Sequence, residues 1–200
     1  DAVGACGVSG PVTFNILPGV YNEQVSIPAI GGTSAVNKVT FQSSTGNASD
    51  VTIAFTTATG TGNYTIQLNG ADFVELKNLT IQANHTSNAR VIELTGGADN
   101  NLIQGCMIYS NPAARGVSTS AGIYSGSSSD NGNVIVGNTI QNGYYGMYIY
   151  GASTTNLESG TIIENNTITD FFYYGIYLYS QQSPKVRSNV IQNHSSSGVV

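Results

Sequence analysis

The chain has 200 residues, of which only 8% are charged, and its formal net charge is −5. The six basic residues are widely spaced and form no stripe that could follow a phosphate backbone, so we expect no nucleic-acid partner. No apolar run approaches the ~20 residues that span a bilayer, so we expect no membrane insertion. Since no change of composition divides the chain, we treat residues 1–200 as a single domain.

The first third of the chain predicts irregular strands. Residues 1–10 are small and glycine-rich without a recognisable signal peptide, and we interpret them as the end of an N-terminal cap. Residues 11–63 then contain alternating apolar runs at 12–16, 25–27, 39–41 and 51–55, separated by Gly, Ser, Thr and Asn. We interpret this stretch as the first, irregular coils of a repeat structure.

One phrase in this region resembles a known family. Residues 17–27 read LPGVYNEQVSI, which is similar to the first coil of pectinesterase-like and other pectin-lyase-like β-helix proteins, written P-G-x-Y-x-E-x-V-x-I. The longer phrase from Gly10 to Phe14 onward resembles bacterial secreted and cell-surface proteins with right-handed parallel β-helix repeats. Many of those are large, are exported through a C-terminal sorting domain and are not known to be enzymes. The resemblance implies a secreted or cell-surface location, and it specifies fold better than activity.

Residues 64–200 repeat a short phrase. It occurs as LKNLTI at 76–81, IQGCMI at 103–108, IVGNTI at 135–140, IENNTI at 163–168 and VRSNVI at 186–191. The first position is always Leu, Ile or Val, the last is always Ile, and the third is Asn, Gly or Ser, which tolerate the left-handed backbone of a sharp corner. Each copy therefore predicts a strand, a tight corner and a second strand.

A second phrase predicts a third strand in each coil. GYYGMYIYG at 143–151 returns 29 residues later as FYYGIYLYS at 172–180, with aliphatic residues and tyrosines alternating. The predicted inward pairs are Ile66/Leu68, Ile92/Leu94, Ile123/Ser125, Met147/Ile149 and Ile176/Leu178. Their unequal spacing fits three short strands joined by loops of varying length. We predict an all-β fold, a right-handed parallel β-helix of about seven coils, with longer excursions at 111–120 and 125–133.

The C-terminal end of the sequence predicts that further coils follow. Gly198 and Val199 correspond to the start of another strand, and a bare last coil would expose unpaired edges. We therefore expect a fragment that is open at its C-terminal end, with the remaining coils or domains of the same protein as its neighbours.

Polar residues at the corners predict an internal column. Cys106 occupies the position held by Asn138, Asn166 and Asn189, and we expect the three amides to form an internal ladder. Cys106 is then a buried free thiol, because a disulfide to Cys6 would have to bridge several coils.

The search for catalytic residues predicts none. The segment 70–74, GADFV, is superficially similar to the pectinesterase G-x-x-D-F motif, but Ala71-Asp72 recurs as Ala98-Asp99, which favours a turn-forming role for Asp72. The Asp-Asp, Gly-His-Gly and Arg-Ile-Lys motifs of polygalacturonases are missing. Glu93 and Glu158 are expected near the outer face of the third strand. Because they belong to different coils, they are a weak candidate for a pair of catalytic carboxylates.

Metal and cofactor sites are not predicted either. Asp130, Asp170, Glu158 and Glu164 stand as single acids, and His85 and His194 are expected to be exposed loop residues.

The tyrosines are the candidate binding residues. Tyr124, Tyr148 and Tyr177 fall in one outward column, and Tyr150 and Tyr179 fall beside two of them. They either stabilise neighbouring coils or form an aromatic surface for a polysaccharide, a cell-surface glycan or a partner protein. We expect a non-catalytic extracellular module for polysaccharide binding or adhesion. The alternatives are part of a polysaccharide lyase or glycoside hydrolase with its site beyond residue 200, and a structural stalk.

Overall fold

The chain winds through three parallel sheets. A computed structural model describes residues 5–58 and 60–193, apart from the side chain of Ser127. Within them each coil adds one strand to each sheet in turn, giving six complete coils and two strands of a seventh. The protein is therefore the parallel β-helix that the repeats predict. Val199, predicted to begin a further strand, and His194 lie outside the described residues.

Each sheet collects equivalent strands from successive coils. The first sheet contains Val12–Ile16, Val39–Ser43, Val74–Lys77, Leu102–Gln104, Val134–Val136, Ile162–Glu164 and Lys185–Arg187. The second contains Gly19–Asn22, Val51–Phe55, Thr80–Ala83, Met107–Ser110, Thr139–Gln141, Thr167–Thr169 and Val190–Gln192. The third contains Val25–Pro28, Ile66–Asn69, Arg90–Thr95, Ala121–Ser128, Tyr145–Gly151 and Tyr174–Tyr179.

Short elements complete the coils. Glu158–Ser159 and Gln181–Gln182 pair as a small additional sheet, and three 3₁₀ turns occupy Ala48–Asp50, Gly60–Gly62 and Pro112–Ala114. No helix among the described residues is long and apolar enough to cross a bilayer.

Aliphatic columns form the core. In the second sheet Ile108 pairs in register with Ile140, and Ile140 pairs with Ile168; all three are fully buried. The predicted inward pairs of the third sheet are confirmed from Ile66/Leu68 to Met147/Ile149, all buried, while Ile176 and Leu178 are half-buried and pack on the core. Stacked, mostly aliphatic side chains thus fill the interior of the coil, as expected of strands buried on one face.

The corners have the predicted left-handed backbone. Between the first and second sheets φ is 51–66° at the third position of every repeat phrase, namely Asn78, Gly105, Gly137, Asn165 and Ser188. The backbone is also left-handed at the corner between the third and first sheets, at Asn100, with φ 58°, and at Gly132, with φ 67°. Residues that tolerate this region therefore fix where each coil turns.

The predicted asparagine ladder is present. We use this name for Asn138, Asn166 and Asn189. The side-chain oxygen of Asn166 accepts from the backbone N–H of Asn138 at 3.0 Å, and that of Asn189 accepts from the N–H of Asn166 at 2.9 Å. The amide nitrogen of Asn166 donates to the carbonyl oxygen of Ile135 at 2.9 Å. Asn138 and Asn166 are buried, so the ladder satisfies polar groups that would otherwise be costly in the core.

Cys106 continues the ladder as predicted. Its backbone N–H donates to the side-chain oxygen of Asn138 at 2.9 Å. Its thiol is buried and free, and burial raises its pKa to about 11. Cys6 is free and exposed.

A second buried amide column was not predicted. Asn101 and Asn133 lie at the corner before the first sheet, and the side-chain oxygen of Asn133 accepts from the N–H of Asn101 at 3.0 Å. The oxygen of Asn101 in turn accepts from the N–H of Val74 at 2.8 Å. The sequence feature that could have predicted this column is a recurring phrase. It is Asp-Asn-Gly-Asn at 130–133 and Asp-Asn-Asn, without the glycine, at 99–101. Two corners of the coil, not one, are thus held by buried amides.

The predicted excursions are only partly right. Residues 111–120 do leave the coil, and Arg115 donates to the carbonyl oxygen of Phe171, two coils further on, at 3.0 Å. The second excursion is shorter than predicted, because Ala121–Ser128 is one continuous strand with a register shift between Gly126 and Ser128.

Replacing Asn166 by Ala tests the ladder. We expect a loss of about 2–4 kcal/mol, because the buried N–H of Asn138 and the carbonyl oxygen of Ile135 lose their partners at about 1–3 kcal/mol each. Urea denaturation followed by circular dichroism measures the shift of the midpoint. The control is Asn165→Gly, an exposed neighbour at φ 55°, which we expect to change stability by less than about 1 kcal/mol. Equal effects of the two substitutions would contradict a special role for the ladder.

Candidate functional site

The five predicted tyrosines are brought together on the outer face of the third sheet. Tyr124, Tyr148 and Tyr177 pair in register on adjacent strands, with ring centroids 5.0 Å and 5.1 Å apart and planes within 9° of parallel. Tyr150 and Tyr179 form a second row at 4.7 Å. The ring of Tyr150 lies 5.9 Å from that of Tyr148, so the two rows are continuous.

A third row was missed because the alternation is broken. Gly146 is buried, and a side chain there would meet Ile168 and the backbone of Gly175, so it faces inward beside Met147. Two consecutive inward residues turn Tyr145 to the outer face, where its ring lies 4.8 Å from that of Tyr148. Tyr174 follows in register with Tyr145 in the next coil. The sequence feature that could have predicted this row is the Tyr-Gly dipeptide, which occurs in both copies of the tyrosine-rich repeat, at 143–151 and 172–180.

These seven side chains define the tyrosine surface. It consists of Tyr124, Tyr145, Tyr148, Tyr150, Tyr174, Tyr177 and Tyr179. A further group of rings borders it: Tyr173 lies 4.3 Å from Tyr174, and Tyr144 lies 4.9 Å from Tyr145. Tyr179 of the surface and Tyr173 on its border are the most exposed of these residues, at 41% and 39% of their full accessible areas.

The rings do not lie flat as an open platform. Parallel rings whose centroids are about 5 Å apart are offset-stacked and overlap. Tyr148, between Tyr124 and Tyr177 on the neighbouring strands, therefore has part of both ring faces covered. The accessible parts of the surface are ring edges, portions of faces and hydroxyl groups. Among the described residues, the hydroxyls of Tyr148 and Tyr177 have no hydrogen-bond partner, and both residues are half-buried.

Gly126 sets the end of the second row. It stands in register with Tyr150, where a third tyrosine would extend the row. A side chain at Gly126 would lie only 2.5 Å from the hydroxyl oxygen of Tyr124, so the ring of Tyr124 lies across this glycine.

Polar residues continue the tyrosine column toward the first coil. The guanidinium of Arg90 lies 3.4 Å from the ring centroid of Tyr124 and pairs with Glu93 at 2.7 Å. The amide of Gln67 donates to the other carboxylate oxygen of Glu93 at 2.7 Å, and the hydroxyl of Ser26 donates to Gln67 at 2.8 Å. The outer face of the third sheet is thus polar over its first half and aromatic over its second.

Burial changes the acidity of the central tyrosine. Desolvation first, and then the neighbouring rings of Tyr124 and Tyr177, raise the pKa of Tyr148 to about 12. Burial likewise raises the pKa of Tyr145. The surface is therefore uncharged at neutral pH.

The predicted structural role of Asp72 agrees with its contacts. Its side chain accepts from the N–H of Asp99 at 2.8 Å, and Asp99 accepts from the N–H of Asn131 at 2.6 Å. The two aspartates therefore tie successive corners together, as their recurrence in the sequence indicated.

Two acids differ from their predicted setting. Glu158 is fully buried, not near the outer face, and Glu158–Ser159 forms a short strand that pairs with Gln181–Gln182 of the next coil. It also accepts from the N–H of Asp130 at 2.9 Å, so these two acids are not isolated from one another. Asp130 is buried and accepts from the hydroxyls of Ser125 and Ser128 at 2.7 and 2.6 Å. Burial raises the pKa of Glu158.

His85 is half-buried rather than exposed. Its Nδ1 accepts from the N–H groups of Ser87 and Asn88, both at 3.0 Å, and so closes a turn.

Comparison with known proteins supports the fold. The family model of NosD, a periplasmic copper-binding protein, matches residues 117–200. A crystal structure of a pectin methylesterase mutant in complex with a hexasaccharide aligns with a TM-score of 0.66 and 17% identity, covering 98% of this chain. The chain spans 62% of the length of that protein. The comparison with curated proteins gave no match. These likenesses agree with a parallel β-helix.

The described part of the matched region offers few soft metal ligands. Residues 117–193 contain neither His nor Cys, and the one methionine among them, Met147, is buried in the core. Among the described residues, no three His, Cys, Asp or Glu side chains are grouped as metal ligands would be.

Tyrosine ionisation tests the packing of this surface. A raised folded-state pKa means that Tyr148 stabilises the fold below its unfolded pKa of about 10, and that this stability is lost as pH rises toward about 12. We expect absorbance titration to show tyrosines that ionise late, and Tyr148→Phe to remove one of them. It should also reduce the loss of stability between about pH 10 and 12. A Tyr148→Phe protein with the same titration curve as the wild type would contradict this packing.

Proposed function

We propose that this domain binds a polysaccharide or cell-surface glycan through the tyrosine surface, outside the cytoplasm, without changing it chemically. The observation that carries the proposal is the set of three adjoining tyrosine rows whose central hydroxyls, on Tyr148 and Tyr177, have no partner among the described residues. Tyrosines with an apolar body and a polar edge are suited to sugars, which have apolar C–H faces and many hydroxyls.

The form of the surface also favours an extended ligand. The rows follow the axis of the coil, and strands lie about 4.8 Å apart, so equivalent hydroxyls recur at a regular interval. A polymer with a regular repeat can contact several such positions at once. The contribution of each contact is then small, and affinity depends on their number.

The acids support a non-catalytic role. Hydrolysis of a glycosidic bond uses two carboxylates that face each other across an accessible bond. Here Asp130 and Glu158 are buried and bonded to backbone and side-chain donors, and Glu93 is paired with Arg90. Asp72 and Asp99 bind backbone N–H groups at corners. Each of these carboxylates therefore accepts hydrogen bonds or pairs with a charge within the coil.

The comparisons supply context for the proposal. The structurally similar pectin methylesterase was crystallised with a hexasaccharide, and NosD is described as periplasmic. Both agree with a carbohydrate-related role outside the cytoplasm. Since the chain spans 62% of the length of that methylesterase, an enzymatic activity of a longer protein remains a separate proposal.

A structural stalk is the second candidate function. The rings of Tyr124, Tyr148 and Tyr177 stack on one another between coils, and such pairs contribute about 0.5–1.5 kcal/mol each beyond their buried area. In this case the tyrosines stabilise neighbouring coils and need no ligand.

The double substitution Tyr148→Phe/Tyr177→Phe separates the two functions. It removes two hydroxyls and keeps both rings stacked, so we expect unchanged thermal stability. We expect glycan affinity to fall about tenfold, since two hydrogen bonds of about 0.7 kcal/mol each are lost. Affinity gel electrophoresis and pull-down on insoluble polysaccharides measure the change.

The control is Phe14→Ala on the first sheet. Phe14 stacks on Phe41 at 4.9 Å and is 37% exposed, so it is a comparable aromatic position on another face. Glycan binding should not respond to it. Unchanged binding in the tyrosine variant, or an equal loss in Phe14→Ala, would place the site elsewhere. No binding by the wild-type protein would favour the stalk.

A further inference from the structure

Five of the six basic residues lie outside the strands of the third sheet. Lys38 and Lys77 both pair with Glu75 on the first sheet, at 2.8 and 2.5 Å. Lys185 and Arg187 belong to a first-sheet strand, and Arg187 pairs with Glu164. Arg115 binds the carbonyl oxygen of Phe171. Of the six basic residues of the chain, only Arg90 lies in a strand of the third sheet.

Arg90 is already neutralised by its neighbours. Its guanidinium lies against the ring of Tyr124 and pairs with one carboxylate oxygen of Glu93 at 2.7 Å. The second oxygen of Glu93 accepts from Gln67, so the carboxylate is also occupied. Arg90 and Glu93 are the charged residues of the described third-sheet strands, and because they pair with each other, neither is free for a charged ligand.

We infer that the ligand of this face is an uncharged polysaccharide, one without uronate, sulfate or amino groups along its chain. The inference rests on the proposed function and names the class of glycan that the site takes. A uronate carboxylate placed on the tyrosine surface would lose water and gain no cation in return, which is unfavourable. The chain's net charge of −5 adds a weak, salt-dependent repulsion of polyanions.

The polar half of the same face fits a neutral sugar as well. Ser26 and Gln67 are at least partly exposed and precede Glu93 in the outward column that continues as Tyr124 and Tyr148. Hydroxyl and amide groups donate to and accept from sugar hydroxyls without requiring charge. Six strands about 4.8 Å apart give a path of about 24 Å, enough for several sugar units of an extended chain.

Binding to matched polymers tests the inference. The wild-type protein is titrated with xyloglucan and galactomannan as uncharged polymers, with polygalacturonate and alginate as uronate polymers, and with chitosan as a cationic one. We expect at least one uncharged polymer to bind about tenfold or more tightly than any charged one, because unpaired charges disfavour the wrong partners.

Glu93→Gln provides the corresponding variant. It leaves Arg90 without its counter-charge beside Tyr124, and we expect affinity for polygalacturonate to rise about tenfold at low salt through a charge-assisted contact. The gain should vanish as salt is added. The control is Glu164→Gln, which frees Arg187 in the same way on the first sheet and should give no such gain.

Each outcome bears on a different claim. Preferential binding of an uncharged polymer, with the gain confined to Glu93→Gln, supports the inference. Preferential binding of polygalacturonate, alginate or chitosan by the wild type overturns it and leaves glycan binding itself intact. Equal gains in Glu93→Gln and Glu164→Gln overturn the assignment of the charge-selective face to the third sheet. Binding of none of the polymers overturns both the inference and the proposed function.

Discussion

The register of stacked coils is the constraint on which the rest of the structure depends. Backbone hydrogen bonds hold each strand opposite its equivalent in the next coil, and a slip of one residue would exchange core and surface side chains. The asparagine ladder opposes such a slip, because its side chains bind backbone groups one coil away only when the coils are in step. Asn101 and Asn133 do the same at another corner. Register is thus fixed by buried polar contacts as well as by apolar packing.

The same register creates the tyrosine surface. Once coils are in step, any residue type that recurs in the sequence becomes a row in space. Inward isoleucines become core columns, and outward tyrosines become rows of overlapping rings. The inward glycines, of which Gly146 is one, leave no room for a side chain and turn Tyr145 outward, which widens the surface to three rows. The stacking of the coils and the proposed binding surface therefore have one structural cause.

Much of the fold could be predicted because it repeats. The corner residues, the inward pairs, the buried Cys106 and the amide ladder each occupy one column of the repeat, so several copies support every assignment. Features that occur once or break the pattern were missed. Gly146 breaks the alternation of inward and outward residues, and Glu158 belongs to a two-residue strand outside the three main sheets, which pairs with Gln181–Gln182 of the next coil. Charge pairing within one strand, as between Arg90 and Glu93 beside Tyr124, depends on side-chain reach that spacing does not show.

The central claim is that the tyrosine surface is the face that contacts a glycan. Hydroxyl-radical footprinting with mass spectrometry tests it most directly, because tyrosines on other faces serve as internal controls. In the presence of excess xyloglucan and galactomannan, the account predicts reduced oxidation of Tyr148, Tyr177 and Tyr179, with Tyr109 of the second sheet unchanged. Protection of Tyr109 instead, or uniform oxidation of all tyrosines with and without the polymers, would contradict it.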